Sequence, residues 1–282
     1  MIQDSRLPIR KACSAFSISS PTYYRWKKQK NIPNPDRKLK TIMHKIASEF
    51  PKYGYRRMTK ELQRRKREVN HKKILRLMRE EGILVRKRRF KPITTQSNHG
   101  LPKYPNLIKD LMLTGLNQAW VSDITFIHLL REFVYLAIIM DLFSRRCIGW
   151  ALSRNPDSEL ALCALNMAID LRGEENVKDC IHHSDQGVQY AAKAYVERLK
   201  QAGIKPSMGE VGNSYENAHA ESLIKTIKYE EVHMNEYETM EDAYRNIKQF
   251  IEKVYNKKRL HSRIGYKPPI EFEKEVLNMS LT

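Results

Sequence analysis

Along the chain the apolar positions change period several times, and those changes outline the architecture. Residues 9–30 read as two short helices around a turn, with Ser20 placed to cap the second and Pro21 in its first turn. Asn31-Ile-Pro-Asn-Pro35 blocks a continuous helix and reads as a linker. From Asp36 onward Leu39, Ile42, Met43, Ile46 and Phe50 recur at helical spacing, and Pro51 ends that helix. Tyr53-Gly-Tyr-Arg-Arg57 is a turn into a second helix with Met58 and Leu62 inward. Asn70 is placed to cap a third, which carries Ile74, Leu77 and Met78 on one face and stops at Gly82. Residues 91–109 hold three prolines and few apolar anchors, as a linker does.

Beyond the linker the period shortens. Val121–Ile127, Phe133–Met140 and Arg145–Leu152 read as three successive antiparallel strands. A helix over Ser158–Leu171, a strand over Val177–His183, a helix over Gln189–Ala202 and a strand over Ile204–Met208 follow. In the segment after Asn217, the residues Ala220, Leu223, Ile224 and Ile227 share one helical arc, with Glu221 at its seam. A last helix over Thr239–Val254 turns Ala243, Ile247, Ile251 and Val254 to one side, and Pro268-Pro269 is expected to end the regular structure. The predicted division is a basic helical segment over 1–35, a three-helix domain over 36–90, a linker over 91–112 and an α/β body over 113–275 with a helical cover.

Charge sharpens that division. The 282 residues carry a net charge of +19, yet residues 1–112 alone carry +22 and the remainder −3. A basic arm on a near-neutral body points to a polyanionic partner, double-stranded DNA above all. Arg64, Arg65, Arg67, Lys72, Lys73, Arg76, Arg86, Arg88 and Arg89 are candidate phosphate contacts. Residues 9–30 fit either a helix-turn-helix module or a basic pair packed on the next domain. The four cysteines form no CxxC pair, which suits a reducing cytoplasm and argues against a zinc ribbon or a disulfide framework. The longest apolar run, Phe133–Met140, is too short to cross a bilayer, and no membrane partner is expected.

The candidate chemistry lies in three acids. Asp123 sits inside the first strand, Asp185 closes Cys180-Ile-His-His-Ser-Asp185, and Glu221 lies in the opening turn of a helix; 61 residues separate the first two and 35 the last two. Mg²⁺ and Mn²⁺ prefer carboxylate oxygens, and two such ions roughly 3.5–4 Å apart can clamp an in-line displacement at phosphorus. Without a cation, converging carboxylates repel and at least one takes up a proton more readily. Near them, His182 and His183 precede Asp185 on a strand, Gly187 is placed to let the backbone bend after it, and Lys228 stands two helical turns beyond Glu221, in reach of a phosphate. The plainer reading of Glu221 is an ordinary i,i+4 pair with Lys225, and its spacing from Asp185 favours catalysis over that. Asp141 is read as organising the turn between two strands.

The segments Trp120–Ile127, Phe133–Arg146, His182–Tyr190 and Tyr255–His261 resemble the integrase core of bacterial insertion-sequence transposases of the second-frame (orfB) type, which are akin to retroviral-integrase-like DDE enzymes. The resemblance runs from about Tyr53 to Phe272. It implies a ribonuclease-H-like mixed five-stranded sheet with flanking helices, preceded by an all-α helix-turn-helix region. It implies that Asp123, Asp185 and Glu221 bind two divalent ions, with His183, Gly187, Asn217, Arg259 and His261 in support. It also implies cleavage at the element's ends followed by 3′-OH strand transfer, a homo-oligomeric synaptic complex, a possible first-frame partner protein or fusion, and work at the bacterial nucleoid. One departure stands out, because the family usually shows a more basic loop, with Asp where this chain has Glu216. A ribonuclease-H-like nuclease without strand transfer and a non-catalytic DNA-binding repressor are the alternatives.

Overall fold

A computed structural model describes residues 8–30, 35–85, 102–209 and 217–279. The chain divides into two compact units, residues 1–85 and 86–282.

In the first unit, α1 (Ile9–Ala15) and α2 (Ser20–Lys30) precede α3 (Arg37–Glu49), α4 (Tyr55–Arg64) and α5 (His71–Glu80). The oxygen that meets the start of α2 belongs to Ser19, which accepts from Thr22 N at 3.3 Å, so the cap lies one residue before the predicted Ser20. Tyr55 is already helical, which shortens the predicted turn to Tyr53-Gly54. Asn70 does cap α5, accepting from Lys72 N at 2.8 Å, and Gly82 follows the helix at φ 69°. Met43, Ile46, Met58, Leu62, Ile74, Leu77 and Met78 are fully buried and make the core of α3–α5, with Phe50 stacked on Tyr53 at 4.4 Å.

The second unit is built on β1 (Ala119–His128), β2 (Phe133–Asp141), β3 (Cys147–Ser153), β4 (Ile181–Ser184) and β5 (Lys205–Met208) in the order β3-β2-β1-β4-β5. β1, β2 and β3 pair antiparallel, while β4 runs parallel to both β1 and β5. Alternation along each strand sends side chains to two cores. Trp120, Ala137, Ile139 and Ile148 pack with α6 (Ser158–Arg172), α7 (Val188–Ala191) and α8 (Lys193–Gln201). Val121, Leu136, Ile138 and Met140 pack with α9 (Ala218–Glu230) and α10 (Met240–Gln249). This mixed sheet between two helical layers is the ribonuclease-H-like arrangement.

Several boundaries differ from the sequence reading. β3 begins two residues late because Arg145 takes φ 64° inside the turn. β4 is only four residues long, since residues 177–180 form a turn, with Asp179 at φ 65°, where the strand is predicted to begin. The predicted helix 189–202 is two helices, broken where Ala192 turns extended at ψ 138°. Pro268-Pro269 does not end the regular structure: Pro269 opens α11 (Pro269–Met279), a position where its missing N–H costs nothing. α10 continues into a π-helical turn over Phe250–Tyr255.

Candidate active site

The register of the sheet brings the two aspartates together. The last rung between β1 and β4 pairs Val121 with His183; Asp123 stands two residues further along β1, and Asp185 follows directly on the end of β4 at Ser184. Parallel neighbours lie about 4.8 Å apart, near enough for the Asp185 charge to act on Asp123, and two steps along β1 return to the face of Val121. Asp123 is thus on the face that carries Val121 and Ile127, the one covered by α9. Past this rung β1 stays paired with β2 alone, which leaves its other edge open beyond the carboxyl end of β4. From β1 the chain turns back to β2, and from β4 it moves on towards β5, so the acids lie in the crevice where successive connections diverge.

α9 packs across β1 and β2 on this face. Its apolar arc, Ala220, Leu223, Ile224 and Ile227, is buried against the sheet as the spacing predicts. Each large side chain in that arc contributes about 1.5–3 kcal/mol by leaving water. Asn217, just before the helix, is buried and donates through Nδ2 to Ser122 O at 3.1 Å, fixing the helix start against β1. At the other end Arg259 grips Glu230 through Nε and Nη2, both at 2.7 Å, and leans on His261 at 3.4 Å. The helix that carries Glu221 is therefore held at both ends.

Asp123 bears the electrostatic cost of this arrangement. Its carboxyl is pushed up to about 8, first by burial and then by the charges of Asp185 and Glu221, although a hydrogen bond from Ile124 N at 2.9 Å and the ammonium of Lys228 oppose the rise. Asp185 Oδ1 accepts from Gly187 N at 3.0 Å. Gly187 has an ordinary φ of −69°, so it is not needed for a special bend. A Cβ there would stand 2.9 Å from Asp185 Oδ1, so glycine is needed for the close approach of that carboxylate. Glu221 lies within electrostatic range of Asp123, yet its own Oε2 accepts from Lys225 Nζ at 2.7 Å. Among the described residues, no three His, Cys, Asp or Glu side chains are drawn together closely enough to hold a metal ion. The acids converge, but the third is turned to its own helix.

The remaining predicted residues divide sharply. His183 is fully buried and meets Ser207 Oγ at 2.9 Å, tying β4 to β5; His182 meets the Tyr195 hydroxyl at 3.0 Å and is pushed down to about 3 by burial and by His183. Both belong to the packing under Asp185. Lys228 lies over the Phe126 ring, 4.3 Å from its centre. In the first unit Arg65 is held by Glu61 and Glu49 at 2.8 and 2.7 Å, Lys73 by Asp36 at 2.6 Å, and Arg76 by Glu80 and Asp36 at 2.5 and 3.3 Å. Arg64, Arg67 and Lys72 are exposed. Arg86, Arg88 and Arg89, like the loop from Glu210 to Glu216, lie outside the described residues.

Some neighbours of the site escaped the sequence reading. The buried Tyr190 hydroxyl feels Asp123 and Asp185, and burial with those charges drives its proton affinity up. Its position in His182–Tyr190 is visible in the sequence, but its inward direction depends on the break at Ala192. Arg145 donates to His219 Nδ1 at 2.8 Å beside the first turn of α9, and His219 is pushed down to about 4 by burial and by Arg145 and Arg263. No spacing signal links residues 145 and 219.

Residues 114–214 match the model of an integrase core domain, residues 202–269 a second such model, and residues 34–91 an HTH-like domain. The insertion element IS600 uncharacterized 31 kDa protein of Shigella sonnei is 34% identical, over 95% of this chain and 99% of that protein. The transposase for insertion sequence element IS904 of Lactococcus lactis is 35% identical, over 84% of this chain and 92% of that protein. Transposase InsF for insertion sequence IS3A of Escherichia coli K12 is 30% identical, over 95% of each. A solved simian T-cell lymphotropic virus intasome in complex with the PP2A regulatory subunit B56 gamma aligns with 82% of this chain and 74% of that one, at 14% identity and a TM-score of 0.48.

Proposed function

Because the chain belongs to the insertion-sequence transposases that carry an integrase core, we propose that Asp123, Asp185 and Glu221 are its catalytic acids, cutting DNA at the element's ends and joining the freed 3′-OH to target DNA. The observation that carries this reading is the raised proton affinity of Asp123, caused by burial beside two further carboxyls. Such a site is short of positive charge, and its donors are all hard oxygens, which fits Mg²⁺ or Mn²⁺. When bound there, two divalent ions would neutralise charge on the phosphoryl oxygens and ease deprotonation of the attacking hydroxyl.

The chain's own residues do the rest. Asp123 and Asp185, near enough for one charge to act on the other, would offer oxygens to a scissile phosphate together. Glu221 joins them by leaving Lys225, an exposed i,i+4 partner that contributes only about 0.2–0.5 kcal/mol. Asn217, Arg259 and Glu230 keep α9 in place while that side chain swings. Lys228 supports a phosphate beside the acids. No protein nucleophile is required, because water and then the DNA 3′-OH attack phosphorus in turn.

For the first unit, we read residues 36–90 as the DNA-end-binding domain and residues 91–112 as the linker to the catalytic core over 113–275. Arg64, Arg67 and Lys72 are exposed and are read as phosphate contacts, while Arg65, Lys73 and Arg76 must first give up carboxylate partners. Joining two ends calls for more than one copy of the chain, and a first-frame partner fits the same reading. No described helix is long and apolar enough to cross a membrane.

Strand transfer of labelled element-end DNA, with Mg²⁺ or Mn²⁺, tests the assignment. Asp185→Asn should bind the DNA as wild type does and lose both hydrolysis and joining by at least about a thousandfold. Joining at the wild-type rate in that variant would remove Asp185 from the mechanism. Hydrolysis without joining in the wild type would instead mark a nuclease.

A further inference from the structure

The antiparallel register of β1 and β2 sets Phe126 opposite Tyr135 and His128 opposite Phe133, so all four lie on one face near the hairpin end. α6 covers this face further down, where Trp120, Ala137 and Ile139 are buried. Near the hairpin end the cover stops: Phe126 is 46% exposed and Phe133 50%. Their rings meet edge to face at 5.8 Å, and His128 meets Phe133 in the same way at 4.7 Å. An exposed aromatic cluster of this kind gains little from folding and keeps its faces open to a flat partner.

The position of the cluster names the partner. Phe126 stands three residues beyond Asp123 on the same strand, about 10 Å away. Lys228 reaches across the open edge of β1 from α9 and holds its ammonium over the Phe126 ring, while it also feels the Asp123 carboxylate. The ring on one face of β1 and Asp123 on the other are thus joined around the strand by one ammonium, which can leave the ring for a phosphate. Nucleic-acid strands present that same alternation of π-face and phosphate, and base–aromatic stacking does not depend on which base is offered.

We propose that Phe126 and Phe133 form a stacking platform for an unpaired base of the DNA strand held at Asp123, with Lys228 taking the adjoining phosphate. This rests on the DNA-processing role proposed above and adds a site for single-stranded DNA beside the acids. The base takes the ring face that Lys228 occupies, and the ammonium moves to the phosphate. The strand beside the cut is therefore held unpaired.

Binding of the full-length protein to three fluorescent probes tests this. The probes are a duplex with a four-nucleotide thymidine overhang, the same duplex with abasic spacers in the overhang, and a blunt duplex. Wild type should prefer thymidine to abasic overhang by roughly fivefold to a hundredfold. In Phe126→Ala and Phe133→Ala that preference should fall towards one, while Phe126→Trp should keep it. Both alanine changes are at exposed positions, and a circular dichroism spectrum like that of wild type checks that they fold. A wild type that binds the blunt duplex but treats both overhangs alike would overturn the platform and leave the DNA-processing role standing. A wild type that binds none of the probes would overturn both. An unchanged preference in Phe126→Ala, with loss of oligomers in sedimentation, would assign the cluster to contact with a second copy instead.

Discussion

Two acid clusters lie in the same domain and have opposite polar accounts. Around Asp141 the chain supplies the donors, although burial still raises the proton affinity of the carboxyl. Its Oδ1 accepts from Phe143 N and Ser144 N at 3.0 and 2.8 Å, and its Oδ2 from Asn117 N at 2.8 Å. Glu273 on α11 closes the network, meeting Arg172 at 2.5 Å, Arg146 at 2.6 Å and Ser144 Oγ at 2.7 Å. Around Asp123 the nearest charges are two more carboxyls, with one ammonium held back on a ring. Both clusters include buried acid, so burial alone does not mark a functional site. What separates them is whether the protein supplies the counter-charge itself or leaves it to a ligand.

The largest expected effect breaks the satisfied cluster. Burial pushes the Glu273 carboxyl up, but Arg172, Arg146 and Ser144 outweigh it and hold the group below its ordinary range. A depressed carboxyl stabilises the fold above its unfolded value of 4.5 and loses that contribution as pH falls through the lower folded value. Glu273→Gln strands Arg172 with much of its charge unanswered and should cost about 3 kcal/mol at pH 7. Urea denaturation at pH 7 and at pH 3.5 checks this, because the gap to wild type should narrow at the lower pH. A gap that widens on acidification would mean the network is not charge-driven.

The open cluster should respond with the opposite sign. Asp123 holds its proton up to about 8 in the folded chain, against 3.8 as a free side chain. Between those values the unfolded chain releases the proton and the folded chain keeps it, so stability falls as pH rises across that window. In chelator, Asp123→Asn should therefore raise stability at pH 8 by on the order of 2 kcal/mol and change little at pH 4, even as catalysis is lost. Equal melting temperatures for variant and wild type at both pH values would show that Asp123 is not strained by its neighbours.

The two clusters also differ in how far the sequence reveals them. Asp123, Asp185 and Glu221 each stand in a short motif whose order and spacing are visible, and the arc of Ala220, Leu223, Ile224 and Ile227 already turns α9 towards the sheet. The turn role of Asp141 is legible because its partners Phe143 and Ser144 lie within three residues. Glu273 is not, since it reaches Ser144 across 129 positions from a helix that a Pro-Pro pair seemed to forbid. The exposed rings were missed for a similar reason. Phe126 and Phe133 fit an alternating strand pattern as core, and only the end of the α6 cover leaves them in solvent. The break at Ala192 depends on the same kind of packing, which propensity does not record.

The smallest expected effect tests how the open cluster closes. Glu221 is partnered by Lys225 at 2.7 Å, and both side chains are in contact with water, so the pair is weak. Lys225→Ala removes that competitor without touching Asp123 or Asp185. Stability should then move by less than about 0.5 kcal/mol, because an exposed i,i+4 pair contributes no more than that. The same increment, no longer opposing the swing of Glu221, should lower the Mn²⁺ concentration for half-maximal thermal stabilisation about twofold. Glu221→Gln should abolish that sensitivity to Lys225, since no carboxylate remains to be released. If Lys225→Ala leaves the Mn²⁺ midpoint unchanged while Glu221→Gln raises it, Glu221 reaches the metals without first being freed from its own helix, and the held-back third acid is a feature of the resting geometry alone.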